Sequence, residues 1–215
     1  MTEVATRPIA PVTLEGAHVR LEPLSLARLE DLLAAASESR ETYGWTWVPD
    51  TAAAMREYVE VALDLAAKQQ AVPFTTINRA TGLVVGSTRF ANFEDHGWKP
   101  GQAFYRGAGA PDGVEIGWTW LAASAQRTRI NSEAKLLMMR HAFSHWGVRV
   151  VRLQTDSRNS RSRAAIERLG CQLDGVVRAH KAAADGAIRD SATYSMLESE
   201  WPAAEAALMQ RLARG

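Results

Sequence analysis

The residues best suited to chemistry fall at the joints of one stretch, Glu115 to Gly170. Glu115 is a carboxylate set in an apolar run. Gln126-Arg-Thr-Arg-Ile-Asn131 leads into Ser132-Glu-Ala134, and Asn159 and Ser162 stand where the next helical pattern begins. A loop that enters a helix offers converging backbone N–H groups and the positive end of the helix dipole, which together suit a diphosphate. Residues 126–133 form such a junction. Arg127 and Arg129 can add bidentate guanidinium–phosphate pairing, or stand as solvated surface residues. Asn159 is equally a good helix N-cap.

These joints need elements to hold them. His18 to Pro23 alternates apolar and polar residues like a half-buried strand. Ser25 is expected to cap a helix to about Ser39, and Thr51 a second one ending near Lys68. Val72 to Asn78 and Leu83 to Phe93 read as strands joined by Ala80-Thr81-Gly82, a hairpin connection. Residues 94–113, with five glycines and two prolines, form a loop. Val114 to Leu121 follows as a strand, with Ile116, Trp118 and Trp120 on one face and Glu115, Gly117 and Thr119 on the other. An apolar helix starts at Asn131 or Ser132, and Gly147 stops it; its Leu136-Leu137 and Met138-Met139 are core. Then come strand 148–155, helix 159–169 with Gly170 as its cap, strand 171–181, the turn Asp185-Gly186, strand 189–197 and helix 201–212. The order β-α-α-β-β-β-α-β-α-β-β-α implies one mixed sheet covered by helices.

Bulk properties narrow the partners. With 47% hydrophobic residues the chain can build a core. The formal charge of +1 supplies no field for a nucleic-acid backbone or an anionic membrane. The lone Cys171 suits a reducing compartment, the cytoplasm, and neither an export signal nor a membrane span is expected. His96 and His180 lack partners at ligand spacing, so no metal is expected.

The matching residues Glu115-Ile-Gly-Trp118, Gln126 to Ala134, Thr155, Asn159-x-x-Ser162 and Leu169-Gly170 resemble the cofactor half of GNAT (GCN5-related) N-acetyltransferases. Gly175, Arg178, Asp185-Gly186, Arg189-Asp190, Tyr194-Ser195 and Glu200-Trp201 resemble the tail of the RimJ/RimL-like ribosomal-protein branch. The resemblance spans about residues 14–201. It implies an α+β single-domain GNAT fold: a mixed, mostly antiparallel sheet with one splayed strand pair and helices on both faces. Residues 1–13 would be an N-terminal arm, 14–201 the acetyltransferase domain and 202–215 a C-terminal helix.

The resemblance also implies the activity: acetyl transfer from acetyl-CoA, as co-substrate, to a primary amine, with a protein or peptide N-terminal α-amine preferred. A small-molecule acceptor such as a polyamine, aminoglycoside or amino acid is the second reading, and Glu94, Asp95 and Asp112 would favour cationic acceptors if they converged on the groove. A GNAT-fold binding protein without turnover is the third. Main-chain groups of Trp118, Thr119, Trp120 and Leu121 would pair with the pantetheine arm, and Gln126, Arg127, Thr128, Arg129, Ile130, Asn131 and Ser132 would hold the diphosphate. The family pattern at that turn is Gln/Arg-x-x-Gly-x-Gly/Ala, and here Arg129 and Asn131 take both small-residue positions. Glu115 would be a base acting through water, or else a solvent-facing or salt-bridged strand residue. Asn159 would bind the pantetheine arm. Ile166 stands where many relatives carry a tyrosine acid, so Ser162 becomes the proton donor or a capping or cofactor contact. Trp45, Trp47 and Tyr194 are candidates for acceptor binding, or for packing. The last strands could pair across a two-fold axis into a homodimer.

Overall fold

The protein is described by a computed structural model over residues 8–107 and 109–214; the part of the arm at 1–7 lies outside the described residues. One eight-stranded sheet has the order β1-β2-β3-β4-β5-β6-β8-β7. The strands are β1 (Leu14–Glu15), β2 (Val19–Pro23), β3 (Ala71–Asn78), β4 (Val84–Glu94), β5 (Gly113–Leu121), β6 (Val150–Asp156), β7 (Gln172–Ala182) and β8 (Ile188–Leu197). The helices are α1 (Leu29–Ser37), α2 (Ala52–Ala67), α3 (Arg129–Arg140), α4 (Ser160–Glu167) and α5 (Trp201–Arg214). Neighbouring strands run antiparallel except β5 and β6. Among the described residues no helix is long and apolar enough to cross a membrane.

Successive strand residues point to opposite faces of a sheet, so β4 shows which helices cover which face. Arg89 meets the Tyr58 ring of α2, whereas Thr88 meets Lys135 of α3. We call these the front and back faces. On the back, Phe90, Ile116, Leu153, Tyr194 and Met196 are buried beneath α3, α4 and α5. Ile9 and Val12 of the arm pack against the same core cluster.

Several local expectations need correction. β1 is an additional two-residue strand, paired with β2. Ser25 makes no side-chain cap; a 3₁₀ turn, Leu26–Arg28, precedes α1. α3 begins at Arg129, two residues early, because the Thr128 side chain accepts from the Ile130 amide and caps the helix. Its last stretch, His141–Trp146, has π-helical hydrogen bonding before Gly147 turns left-handed (φ +66°) and ends it. The alternation expected in β5 also fails. The β4–β5 register shifts between Ser87 and Arg89, and Trp118 takes φ +50°. A bulge adds a residue and resets which face follows. Trp118 and Trp120 therefore share the front with Glu115, against Arg89 and Tyr43, and Thr119 turns to the back against Lys135.

Candidate active site

The opening in the sheet comes from one short pairing. β6 is joined to β5 only through Gly113–Glu115 against Val150–Arg152. Beyond that point β5 stays with β4 through Leu121, and β6 stays with β8 through Asp156. The two strands part, and the β6-facing backbone edge of β5 from Ile116 to Leu121 is left without a strand partner. Unpaired strand N–H and C=O groups are what an amide-bearing chain can pair with, so Trp118 to Trp120 fit the pantetheine arm; the Leu121 carbonyl already accepts from Tyr43 and Gln126.

The start of α3 stands beyond the end of β5. The first turn of a helix leaves N–H groups without intrahelical partners, and Thr128 takes only that of Ile130. Arg127 is the residue with a left-handed backbone in this turn, φ +59°. Arg129 and Asn131 lie in the first helical turn, and neither takes a left-handed backbone. The turn is not sealed by arginines: Arg127 and Arg129 are exposed and form no ion pair among the described residues. A cleft of 740 Å³ runs past this turn, lined by Arg79, Arg127, Arg129, Arg211, His18 and Ser132. Arg79 also pairs with Glu15, and Arg211 donates to the Arg168 carbonyl. A diphosphate fits this donor set. Gln126 faces the other way, donating to the Leu121 carbonyl and to Thr42 Oγ1, so its side chain ties the turn to the α1–α2 loop.

Across the opening, Asn159 is the N-cap of α4 and accepts from the Ser162 amide at 3.0 Å. Ser162 is partly exposed on the first turn of that helix. Ile166 is buried, so its position faces the core and not the opening.

On the front face Glu115 lies at the point where β5 and β6 separate. It is buried, and its Oε2 accepts from Asn92 Nδ2 at 2.8 Å and Gln154 Nε2 at 3.2 Å. No cation lies within ion-pair distance of it among the described residues, so the salt-bridged alternative falls away. Gly117 keeps the space beside it open: a Cβ there would come within 3.1 Å of Glu115 Oε1. The β7–β8 hairpin brings two cations towards this carboxylate. Burial holds both Lys181 and Arg189 below their ordinary values; for Lys181 the neighbouring Arg189 adds to this, while Glu115 opposes it. For Arg189, Asp156 and then Glu115 oppose it.

The aromatic candidates separate. Trp45 stacks under the Arg158 guanidinium at 4.4 Å, joining the α1–α2 loop to the loop before α4. Trp47 is 61% exposed. Tyr194 is withdrawn from any acceptor groove: it is fully buried on the back face, donating to Glu167 Oε1 and accepting from Arg163 Nε, both at 2.9 Å. Its position in β8 opposite Leu153 places it there. Glu94, Asp95 and Asp112 do not form an open acidic patch. Glu94 pairs with Arg152 and His96, Asp112 with Arg106 and Arg149, and Asp95 accepts from the Gly97 amide. Asn92, Gln154, Arg89, Lys135, Lys181 and Arg189 were not anticipated. Gln154 was within reach, because it shares the period-two face of β6 with Arg152; Asn92, Arg89, Lys181 and Arg189 depend on register shifts in the β4–β5 and β7–β8 pairs, and Lys135 on which strands α3 covers.

Comparison with known proteins agrees with this architecture. Residues 18–172 match the profile of the acetyltransferase (GNAT) domain. A GCN5-related N-acetyltransferase from Brucella melitensis is 28% identical, with 96% of this chain and 87% of that one covered and a TM-score of 0.79. A protein from T. thermophilus assigned as an acetyltransferase is 32% identical over 94% of this chain and 97% of its own, with a TM-score of 0.74. Mycobacterium smegmatis RimJ, solved in complex with CoA-disulfide, shares the fold at 17% identity, covering 95% and 97%, with a TM-score of 0.78. No curated protein matches the chain. With nearly three quarters of its length inside the domain profile, and with the parted strands and helix start in place, the chain belongs to the GNAT family of acetyltransferases.

Proposed function

We propose that this enzyme transfers an acetyl group from acetyl-CoA to a primary amine, and that the amine is the N-terminal α-amine of a protein or peptide. The observation that carries the reading is Glu115, a buried carboxylate that forms no ion pair among the described residues, at the point where the strands part, with Gly117 leaving room beside it. The α3 turn with Arg127 and Arg129 would hold the diphosphate, the free edge of β5 and Asn159 the pantetheine arm. Glu115, directly or through water, would take the proton that the amine sheds as it attacks. An α-amine titrates near 7.7 to 8.0 against about 10.4 for lysine, so one carboxylate is a sufficient base for it at neutral pH. Lys181 and Arg189 near Glu115 disfavour polycationic acceptors, and the shared fold with RimJ points to a protein acceptor.

The test is mass spectrometry of short peptides incubated with acetyl-CoA. One set has a free N-terminus and no lysine; the other has a blocked N-terminus and one lysine. Acetylation of the first set alone is expected. Acetylation confined to the lysine set, or to spermidine offered in parallel, would overturn the acceptor.

A further inference from the structure

Lys135 is a buried charge that the site described above leaves unused. It is 4% exposed, and its Nζ lies 2.6 Å from Thr119 Oγ1 and 3.0 Å from Thr88 Oγ1. The two hydroxyls are 2.8 Å apart, and each also reaches the Gly117 carbonyl at 3.4 Å. No carboxylate pairs with Lys135 among the described residues, and burial alone holds its amine down at about 7.

The charges on every element packed around it turn elsewhere. On α3 itself, Glu133 faces the amides of residues 17–19, and Arg140 pairs with Glu205 of α5. On β4 and β5, Arg89 and Glu115 lie on the opposite face, Arg89 between Tyr58 and Trp118 and Glu115 against Asn92 and Gln154. Glu15 of β1 pairs with Arg79, and Arg20 of β2 with Glu22. His141, past the end of the helix, stacks on His145 and meets Phe90 and Trp146. Met138 contributes a sulfur to Thr88 at 3.9 Å.

An ammonium can only donate. When Lys135 donates to Thr119 Oγ1, the proton of that hydroxyl must point elsewhere; the Gly117 carbonyl is a long 3.4 Å away, so a closer acceptor in the opening can take it. Thr119 is partly exposed and sits on the part of β5 that β6 has left. A buried cation without a counter-charge, one hydroxyl away from the opening, suits a site where negative charge develops during reaction. We propose that Lys135, acting through the Thr119 hydroxyl, supplies the proton taken up by the sulfur of CoA as it leaves the acetyl group.

The inference rests on the acetyl-transfer reading above. In the balanced step the amine nitrogen forms the C–N bond, the C–S bond breaks, and its electron pair passes to sulfur. The surplus proton of the amine goes to Glu115. The proton for sulfur comes from Thr119 and is replaced from Lys135 Nζ, which is recharged from solvent when the products leave. An acid titrating near the working pH is well matched to this task.

Two measurements test it. The first follows the ultraviolet absorbance of the CoA thiolate against pH in the binary complex with unacetylated CoA. The chain's own thiol leaves this signal clear, because Cys171 is buried and pushed up to about 12. Bound CoA should titrate lower, by about one pH unit or more, in the wild type than in Lys135→Met or Thr119→Val. The second is turnover on the peptide acceptor. Wild-type kcat should fall as pH rises above about 7; Lys135→Met should lower kcat by about tenfold to a hundredfold with KM within about twofold, and should lack that fall. Thr119→Ser, which keeps the hydroxyl, should restore both readouts. Lys135→Met replaces an unpaired buried amine with an apolar side chain of similar length, so it should melt no lower than the wild type at pH 6.

If the CoA thiol titrates alike in the wild type and both variants, the inference is overturned whatever the turnover. Unchanged kcat and an unchanged falling limb in Lys135→Met would overturn it too. A thiol shift without acetylation of any peptide would sink the acceptor reading and leave this one standing.

Discussion

Glu133 and Lys135 stand two residues apart on α3, and each buries its charge in a different part of the molecule. In the β1–β2 corner the Glu133 carboxylate accepts from three amides, Ala17 at 2.8 Å, His18 at 2.6 Å and Val19 at 2.8 Å. Gly16 exists to admit it: a Cβ there would lie 2.4 Å from the carboxyl carbon. At the opening, Lys135 has two hydroxyls and no opposite charge. A charge met by several fixed dipoles is secured for structure, whereas one left uncompensated costs stability that folding alone gives no reason to accept. One helix thus fastens its outer side to the sheet and leaves its inner side electrostatically incomplete. Substitutions in the corner should therefore damage the fold, and those in the opening should damage binding or turnover.

The largest expected effect is in the corner. Glu133→Ala strands three amides and should lower unfolding free energy by on the order of 3 to 5 kcal/mol, read by urea denaturation. Gly16→Ala should weaken the same anchor by displacing the carboxylate. A loss below about 1 kcal/mol for Glu133→Ala would break the comparison.

The next effect belongs to Lys135 and concerns pH. Its folded-state value, about 7, lies below the ordinary 10.5. Between these values the unfolded chain holds a proton that the folded chain lacks, so wild-type stability should rise with pH across that window. Below about pH 7 the full burial cost is present, on the order of a few kcal/mol. Lys135→Met should lack the rise, so its advantage over the wild type should be greatest at pH 6 and shrink towards pH 10. Denaturation at pH 6 and 9 checks this; a parallel rise in both proteins would show that some other group carries it.

The sequence told these two residues apart poorly. Both lie in an amphipathic pattern, and nothing in that pattern says which neighbouring strand will present amides and which hydroxyls. Element types and order were legible because hydrophobic periodicity and the Thr51, Gly147 and Gly186 signals are local. The opening was legible through the resemblance, whose motifs mark the ends of β5 and β6. What escaped were consequences of register. The bulge at Trp118 moved Thr119 to the back face and Trp118 to the front, and an alternation count across Glu115–Leu121 has no means of locating it. The choice between acceptor binding and packing for Tyr194 escaped for a related reason, since its face depends on pairing with Leu153, about forty residues earlier in the chain. The start of α3 was set by a single side-chain bond, the Ile130 amide donating to Thr128 Oγ1.

Smaller in free energy is the effect expected at the front of the opening. Glu115→Gln keeps an acceptor for Asn92 and Gln154 but removes the base, so kcat should fall about a hundredfold. Binding of acetyl-CoA, followed by calorimetry, should stay within about twofold, and urea stability within about 1 kcal/mol. A large loss of stability with little loss of kcat would move Glu115 to the structural side of the comparison.

The smallest effect belongs to Arg127 and Arg129, and it sharpens the comparison because these residues touch nothing that the fold needs. Both are exposed at a helix start whose amides already suit an anion. Exposed guanidinium groups add to phosphate binding through charge and are screened by salt. Removing both, in Arg127→Ala/Arg129→Ala, should weaken CoA binding by about tenfold at low ionic strength, and by less near 0.5 M salt. Arg127 also holds a left-handed backbone, φ +59°, so Arg127→Gly is the matched control: it removes the charge without asking alanine to adopt that conformation. Equal weakening by Arg127→Ala and Arg127→Gly would assign the effect to charge. Weakening by alanine alone would assign it to the shape of the turn, and would make the main-chain amides, rather than the arginines, the dominant grip on the diphosphate.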